Sequence, residues 1–197
     1  MDFFDVVKKR RSIRHFTADP VPEEDLMAVL EAGKLAPSPY NQQPWRFIVI
    51  RDRELMAKLK DVVLAIVDGQ VSIPDDAGSK LASYDRRFNA TNIFDAPVVI
   101  VALTHPWPHP NAREQSPFNA GLQSLAAAIA QMHLAATALG YGGCWATLPL
   151  LLAKAEIEAI LEVEKPWFIA ALLSIGVPAK MPPDIQRKPT EELFTFK

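Results

Sequence analysis

The chain has 197 residues, of which 49% are hydrophobic, and a formal net charge of −2. This length allows one sizeable core and is short for two, so we expect a single domain over residues 1–197. The near-neutral charge gives no electrostatic reason to expect nucleic acid or an acidic membrane as a partner. Because Cys144 is the single cysteine and no signal-peptide pattern opens the chain, we expect a reducing, cytoplasmic location.

The first predicted element is a helix from Asp2 to Lys9, and three arginines and a serine follow it directly. Guanidinium groups bind phosphate oxygens through paired hydrogen bonds, and a serine hydroxyl adds one donor. If the segment is extended, Arg10, Ser12 and Arg14 point the same way and face one ligand. The alternative is a solvated basic turn beside nearby aspartates, which is typical of isolated charge runs.

A second polar segment follows a predicted amphipathic helix, Glu23 to Leu35, which Pro37 and Pro39 cannot continue. The loop from Ser38 to Gln43 then leads into a predicted strand, Trp45 to Ile50. Asparagine and glutamine amides offer donors and acceptors together, which suits the uracil-like edge of a flavin. Considered by spacing alone, an ordinary connection between a helix and a strand fits equally well.

The middle of the chain divides coarsely into a helix, a loop, a strand and a proline-rich segment. The helix is predicted from Asp52 to Val67, the loop from Asp68 to Ser83, and a buried strand from Pro97 to Leu103. The segment from Thr104 to Pro117 contains too many prolines for a regular helix.

The next element, Ala120 to Leu139, lacks charged residues and is long enough to cross a bilayer. Alanine dominates it and polar side chains interrupt it, so transfer into lipid is unfavourable. Larger residues fall at positions 122, 125, 129, 132 and 139, with Ala136 filling the gap, which makes a narrow helical seam. We predict a buried helix along another helix, with the same helix of a second subunit as the expected partner. His133 is expected to be a packed core residue.

The last third of the chain contains a predicted helix from Ala153 to Glu162 and a buried strand from Phe168 to Ile175. From Gly176 onwards, several prolines and the lack of a sustained periodicity indicate an extended arm. An arm without a core of its own needs a surface on which to lie.

Competing chemistries find little support in the sequence. His105 and His109 do not suggest a metal site, because prolines deny them helical spacing and no third ligand is near. There is no Gly-x-Ser-x-Gly elbow, and Cys144 lacks a sign of activation. The glycines of Gly140 to Gly143 follow a helix instead of a strand, which argues against a dinucleotide-binding loop.

Several motifs taken together resemble those of the nitroreductase family of FMN-dependent oxidoreductases. Its members open with Arg-Arg-Ser-x-Arg-x-Phe, which Arg10 to Phe16 match. They continue with a Val-Pro-Glu-Glu helix and an Ala-Pro-Ser-x-x-Asn-x-Gln-Pro-Trp segment, matched by Val21 to Glu24 and Ala36 to Trp45. Weaker matches are Ala96 to Ala102, Leu139 with Gly140, Gly143 to Trp145, and Arg187 to Pro189.

The resemblance implies an α+β, nitroreductase-like fold with a central, mostly antiparallel sheet flanked by helices. It also implies an obligate homodimer, with FMN bound at the subunit interface and a domain-swapped C-terminal arm that joins the sheet of the neighbouring subunit.

The resemblance also implies which residues bind the cofactor. Arg10, Ser12 and Arg187 would hold the phosphate and ribityl chain, Arg11 would assist, and Arg14 would lie near N1 and O2 of the ring. The loop residues that would line the ring from the partner subunit are Pro37, Ser38, Pro39, Asn41 and Gln43. Backbone around Trp145, Ala146 and Thr147 would reach the N5 side, although Trp-Ala-Thr-Leu-Pro departs from the commoner Trp-Ile-Gly. No side chain need act as a catalytic acid, since protons can come from water.

The activity implied by the resemblance is a ping-pong hydride transfer from NADH or NADPH, through FMN, to a nitroaromatic, quinone or related small-molecule acceptor. Other chemistry on the same fold stays open, namely dehalogenation, dehydrogenation or fragmentation of the flavin. A non-catalytic FMN sensor or reservoir, and a phosphate-binding module without flavin, also stay open.

Overall fold

A four-stranded antiparallel sheet forms the centre of the protein, whose computed structural model describes residues 2–69, 86–106 and 120–197. The strands are β1 (Trp45–Ile50), β2 (Val98–Thr104), β3 (Gly142–Ala146) and β4 (Phe168–Gly176). They lie in the order β1-β2-β4-β3, so β1 and β3 form opposite edges. All three pairings are antiparallel, in agreement with the mostly antiparallel sheet that the family resemblance implies.

Helices cover both faces of this sheet. Their bounds are α1 (Phe3–Lys9), α2 (Glu23–Lys34), α3 (Arg53–Gly69), α4 (Arg86–Thr91), α5 (Ala120–Ala138) and α6 (Leu148–Ile160). Short 3-10 turns lie at Pro39–Asn41, Asn92–Asp95 and Thr190–Glu192. None of the helices in these described stretches is long and apolar enough to cross a lipid bilayer.

Strand β2 is buried along its whole length because a hydrophobic core lies on each side of it. Ile100 and its alternate neighbours pack against α2 and α5, whereas Val101 and its neighbours pack against α3 and α6. This alternation follows from the two-residue period of a strand, and it explains why the sequence shows a continuous apolar run.

Aspartates fix the start of two helices. The Phe4 amide donates to the Asp2 carboxylate at 2.9 Å, and the Glu54 amide donates to Asp52 at 2.8 Å. These caps satisfy amides that have no partner inside the helix. The predicted starts of α1 and α3 are therefore correct to within one residue.

The middle of the α5 seam packs within its own chain. Leu125, Ile129, Met132 and Ala136 join the core that α2 and the sheet form. Helix α2 approaches closely at Gly33, where a Cβ would lie 2.6 Å from Met132 Cγ. The four middle positions of the seam therefore pack against α2, whereas Leu122 and Leu139 at its ends are 40% and 43% exposed, so the contact with a second subunit stays a prediction.

Helix α4 and strand β3 have no counterpart in the prediction, the start of α6 differs from it, and two expectations fall largely outside the described residues. Strand β3 was not predicted, and α6 begins five residues before the predicted Ala153 because Pro149 occupies its first turn, where proline is compatible with a helix. Of the predicted loop from Asp68 to Ser83, the first two residues end α3 and the rest lies outside the described residues. Most of the proline-rich segment is outside them too, including His109, whereas His105 packs edge-on against Trp167.

Candidate functional site

The arginine-rich segment lies extended along the outer edge of β3. The Ile13 amide donates to the Gly143 carbonyl at 2.8 Å, and Ser12 forms a parallel bridge with Gly143. The approach is close, because a Cβ on Gly142 would lie 2.5 Å from Ile13 Cγ1. Glycine at position 142 therefore allows the arginine-rich segment to pack closely against the edge of β3.

The extended backbone sends Ser12 and Arg14 to one side and Arg11 and Ile13 to the other. Ser12 and Arg14 border a cavity of about 270 Å³, whereas Arg11 and Ile13 border a different one of about 520 Å³. Arg14 and Ser12 therefore face the same cavity, whereas Arg11 faces the opposite side of the segment.

The charges of Arg10 and Arg187 act on each other although the two residues are far apart in sequence. Burial lowers the pKa of the Arg10 guanidinium, and the neighbouring charges of Arg187 and Arg11 lower it further. Within the described ranges, no carboxylate oxygen lies within ion-pair distance of Arg10 or Arg187. An uncompensated pair of guanidinium groups fits a phosphate dianion, since arginine binds phosphate through paired hydrogen bonds.

Two buried residues lie beneath this cationic group. Burial raises the pKa of the Cys144 thiol, while the charges of Arg14 and Arg10 oppose the rise, so Cys144 has no activated thiolate. His133 is 4% exposed, and in the described part of the chain its Nε2 has no hydrogen-bond partner. Burial lowers the pKa of His133 to about 4, with the Arg10 charge as the next cause. His133 is therefore the packed core residue that the sequence predicts, and it is neutral at pH 7.

The end of β3 carries the third part of the predicted site. Trp145 and Ala146 are the last residues of β3, and Thr147 precedes α6. Trp145 is 40% exposed, so its ring stands at the surface beside the cationic segment. These three residues thus lie on the same sheet edge as Ser12.

The loop from Pro37 to Gln43 is held in an unusual backbone conformation. The Gln43 amide donates to Ser38 Oγ at 2.9 Å, which closes the loop. Asn41 and Gln43 have positive φ values of 55° and 48°, which residues other than glycine rarely adopt. Pro37 and Pro39 stiffen the same turn. The loop therefore presents its backbone and amide side chains in a fixed arrangement.

The loop and the arginine-rich segment lie at opposite edges of the sheet. Trp45, which follows the loop, is level with Phe168 on β4, whereas Gly143, which holds Ser12, is level with Ile175. Seven residues along β4 correspond to about 23 Å, and the four lateral spacings from β1 to the Ser12 segment add roughly 19 Å sideways. Gln43 reaches back from Trp45 by only about 7 Å. One copy of the chain therefore does not bring the two halves of the predicted site together.

Two features of the site were missed by the sequence analysis. Arg11 turns away from Ser12 and pairs with Asp184, 173 positions later, a partner that no local pattern could reveal. The orphaned Nε2 of His133 under Arg10 was also missed, because a histidine on an apolar helix face is usually only packed.

Comparisons with known proteins agree with this geometry. A model described as Nitroreductase family matches residues 7–177. The chain is 30% identical over 203 residues to an NADH dehydrogenase of Thermus thermophilus, covering 96% of this chain and 93% of that protein. A BluB-like flavoprotein from Clostridium difficile 630 has a TM-score of 0.81 and 33% identity, covering 100% of this chain and 99% of that one.

A more distant likeness has the same fold. The structure of an oxidized iodotyrosine deiodinase bound to FMN and 3-iodo-L-tyrosine has a TM-score of 0.76 at 22% identity, covering 95% of this chain and 96% of that one. These likenesses confirm the predicted α+β, nitroreductase-like fold. Since the family model spans most of the chain and the match to the Thermus protein spans nearly all of it, the chain belongs to the nitroreductase family.

Proposed function

We propose that this protein is an FMN-dependent oxidoreductase, which transfers hydride from NADH or NADPH to a nitroaromatic, quinone or related acceptor in a ping-pong cycle. The observation that carries the proposal is the cationic segment along β3, where Ser12 and Arg14 border one cavity, the charge of Arg187 acts on Arg10, and no described carboxylate pairs with Arg10 or Arg187. Bound FMN would supply the hydride chemistry itself.

The residues of this chain would bind and bias the cofactor. Arg10 and Arg187 would hold the phosphate, and Ser12 would add a hydroxyl donor. Arg14 would lie near N1 and O2 of the ring, where a fixed guanidinium stabilises negative charge and raises the reduction potential. The backbone at Trp145 would face the N5 side.

We propose a homodimer because the loop from Pro37 to Gln43 lies far from the arginines of its own chain. In a two-fold pair, the loop of a second copy would complete the site, with Asn41 and Gln43 offering amide donors and acceptors to the ring edge. Residues 1–197 would then act as one FMN-binding domain in a reducing, cytoplasmic environment.

The test is purification followed by reconstitution with FMN and steady-state oxidation of NADH and NADPH with menadione or a nitrofuran. We expect a yellow protein, and parallel double-reciprocal plots because donor and acceptor bind in turn. Bound FMN without turnover would favour a sensor or reservoir. A colourless protein that cannot be reconstituted would favour a phosphate-binding module without flavin.

Dehalogenation is the second candidate, since the chain shares its fold with an iodotyrosine deiodinase that binds FMN and 3-iodo-L-tyrosine. Iodide release from 3-iodotyrosine under reducing conditions measures it directly. Iodide release that is faster than menadione reduction would replace the first proposal by this one.

A further inference from the structure

The side chain of Arg11 is already occupied by groups of its own chain. Its Nη1 donates to the carbonyl oxygens of Lys8 and Arg10, and its Nη2 contacts the Asp184 carboxylate at 3.1 Å. It also lies on the opposite side of the segment from Ser12. Arg11 is therefore poorly placed to bind the anion that Arg10 and Arg187 suit.

The start of the C-terminal arm runs antiparallel to the arginine-rich segment. The Thr17 amide donates to the Val177 carbonyl at 2.9 Å, and the Ala179 amide donates to the His15 carbonyl at 2.9 Å. The Arg11–Asp184 contact continues this antiparallel course, because residue numbers decrease along the arginine-rich segment while they increase along the arm.

No backbone hydrogen bond within the part of the chain that the structure describes joins the arm to the arginine-rich segment after Ala179, and Pro182 and Pro183 have no amide hydrogen to donate further on. Among the described residues, the Asp184 ion pair is the next polar contact that joins the arm to the body of the protein. Arg187 follows Asp184 by three residues, which limits its reach from that point to about 10 Å.

Arg187 needs such a restraint because its charge acts on the like charge of Arg10. Its charge disfavours the protonated form of Arg10, so the two guanidinium groups repel each other when no anion lies between them. Without a restraint, the arm would gain entropy and reduce this repulsion by moving away.

We propose that Arg11 and Asp184 form a clasp that positions Arg187 beside Arg10, so Arg11 is a positioning residue for the phosphate and is not its ligand. The inference rests on the proposed function only in taking that phosphate to be the one of FMN. The ion pair is exposed, at 26% for Arg11 and 96% for Asp184, so its loss is expected to leave folding intact.

Replacing Asp184 by alanine tests the clasp, because the clasp and simple electrostatics predict opposite changes in the affinity for FMN. Removing a negative charge near a phosphate site strengthens anion binding if electrostatics alone acts. The clasp predicts the opposite, a FMN dissociation constant that is about two- to fivefold higher, as expected for an exposed ion pair. Riboflavin lacks the phosphate, so its affinity for the flavin-free protein should not change. Tighter or unchanged FMN binding by Asp184→Ala would overturn the proposal.

A double-mutant cycle separates a clasp from a direct phosphate contact. Arg11→Ala should weaken FMN binding as much as Asp184→Ala does, and the double variant should be no weaker than either. A further loss in the double variant would mean that Arg11 binds the phosphate itself. Glu191→Ala is the matched control, because it removes the same charge from the arm beyond Arg187, and it should bind FMN as the wild-type protein does.

A measurement without flavin keeps this inference separate from the proposed function. Trypsin cleavage after Lys180 in the flavin-free chain, followed by mass spectrometry, reports how firmly the arm is held. Cleavage should be faster in Asp184→Ala than in Glu191→Ala. If the wild-type protein bound no FMN, the proposed function would fail, and faster cleavage would still support the clasp. Equal cleavage rates would overturn the clasp even in a protein that binds FMN.

Discussion

Arg14 is the residue expected to couple cofactor affinity to cofactor potential. It borders the same cavity as Ser12, and its charge acts on the Cys144 thiol beneath. Arg14→Ala should weaken FMN binding by roughly tenfold or more, as for a lost charged hydrogen bond. It should also lower the midpoint potential by about 20–40 mV, since 30 mV of a two-electron couple is about 1.4 kcal/mol. Arg14→Lys, which keeps the charge, should retain part of both. Unchanged affinity and potential would remove Arg14 from the site.

His133 should make stability depend on pH. Burial lowers its pKa from 6.5 to about 4, so between these values the unfolded chain binds a proton that the folded chain does not. This contribution to stability is complete above pH 6.5 and is lost as the pH falls towards 4. The free energy of unfolding should fall by about 2 kcal/mol more in the wild-type protein than in His133→Gln between pH 7 and pH 5. Urea unfolding at both pH values measures it, and equal losses would contradict the assignment.

Gly143 is required because β3 and β4 lie close together there. A Cβ on Gly143 would lie 2.7 Å from the Ser174 carbonyl oxygen, which is backbone and cannot move aside easily. Gly143→Ala should therefore destabilise the protein by about 1–3 kcal/mol in urea unfolding. Gly69→Ala is the matched control, since no atom of the described residues lies within 4 Å of its Cβ position. A similar loss in both variants would show that the close approach is not the cause.

Sequence patterns predicted only part of the site at this scale. The alternation of Arg10, Ser12 and Arg14 follows from an extended backbone, and the structure bears it out for Ser12 and Arg14. The turn of Arg11 towards Asp184 depends on a contact between distant parts of the chain, which local reasoning cannot supply.

At the scale of elements, long periodic segments were predicted well and short or atypical ones were not. Helix α5 and strand β4 have strong apolar patterns, and their bounds agree to within one residue. Strand β3 begins with Gly142 and Gly143, whose low strand preference hides it, because the glycines serve close packing instead. The pattern of larger residues along α5 was predicted correctly, but this pattern alone does not identify the helix that packs against it.

The last ten residues form a C-terminal tail whose large apolar side chains are exposed to solvent in a single chain. Leu193, Phe194 and Phe196 are 67%, 48% and 90% exposed. Deleting residues 188–197 keeps Arg187 and removes almost no buried contact of a monomer. If this tail packs on a second copy, the deletion should raise the dissociation constant of the dimer by roughly tenfold or more. Sedimentation velocity over a range of concentrations measures it, and an unchanged constant would exclude the tail from the interface.

For the whole molecule, the sheet order separates the two sets of predicted site residues. β1 with its loop and β3 with its arginines are opposite edges, so one copy does not bring the two sets together, and the proposed homodimer would supply one set from each copy. The sequence motifs could suggest both sets but not their separation, because strand order is a property of the folded chain.

Complementation between two defective variants tests this arrangement most directly. One variant carries Arg10→Ala with Arg187→Ala, and the other carries Asn41→Ala with Gln43→Ala. Each alone should hold little FMN. When the two are refolded together in equal amounts, random pairing places one intact site in each mixed dimer, so about a quarter of all sites should bind FMN. If the mixture binds no more FMN than the average of the separate variants, a site shared between two copies is contradicted.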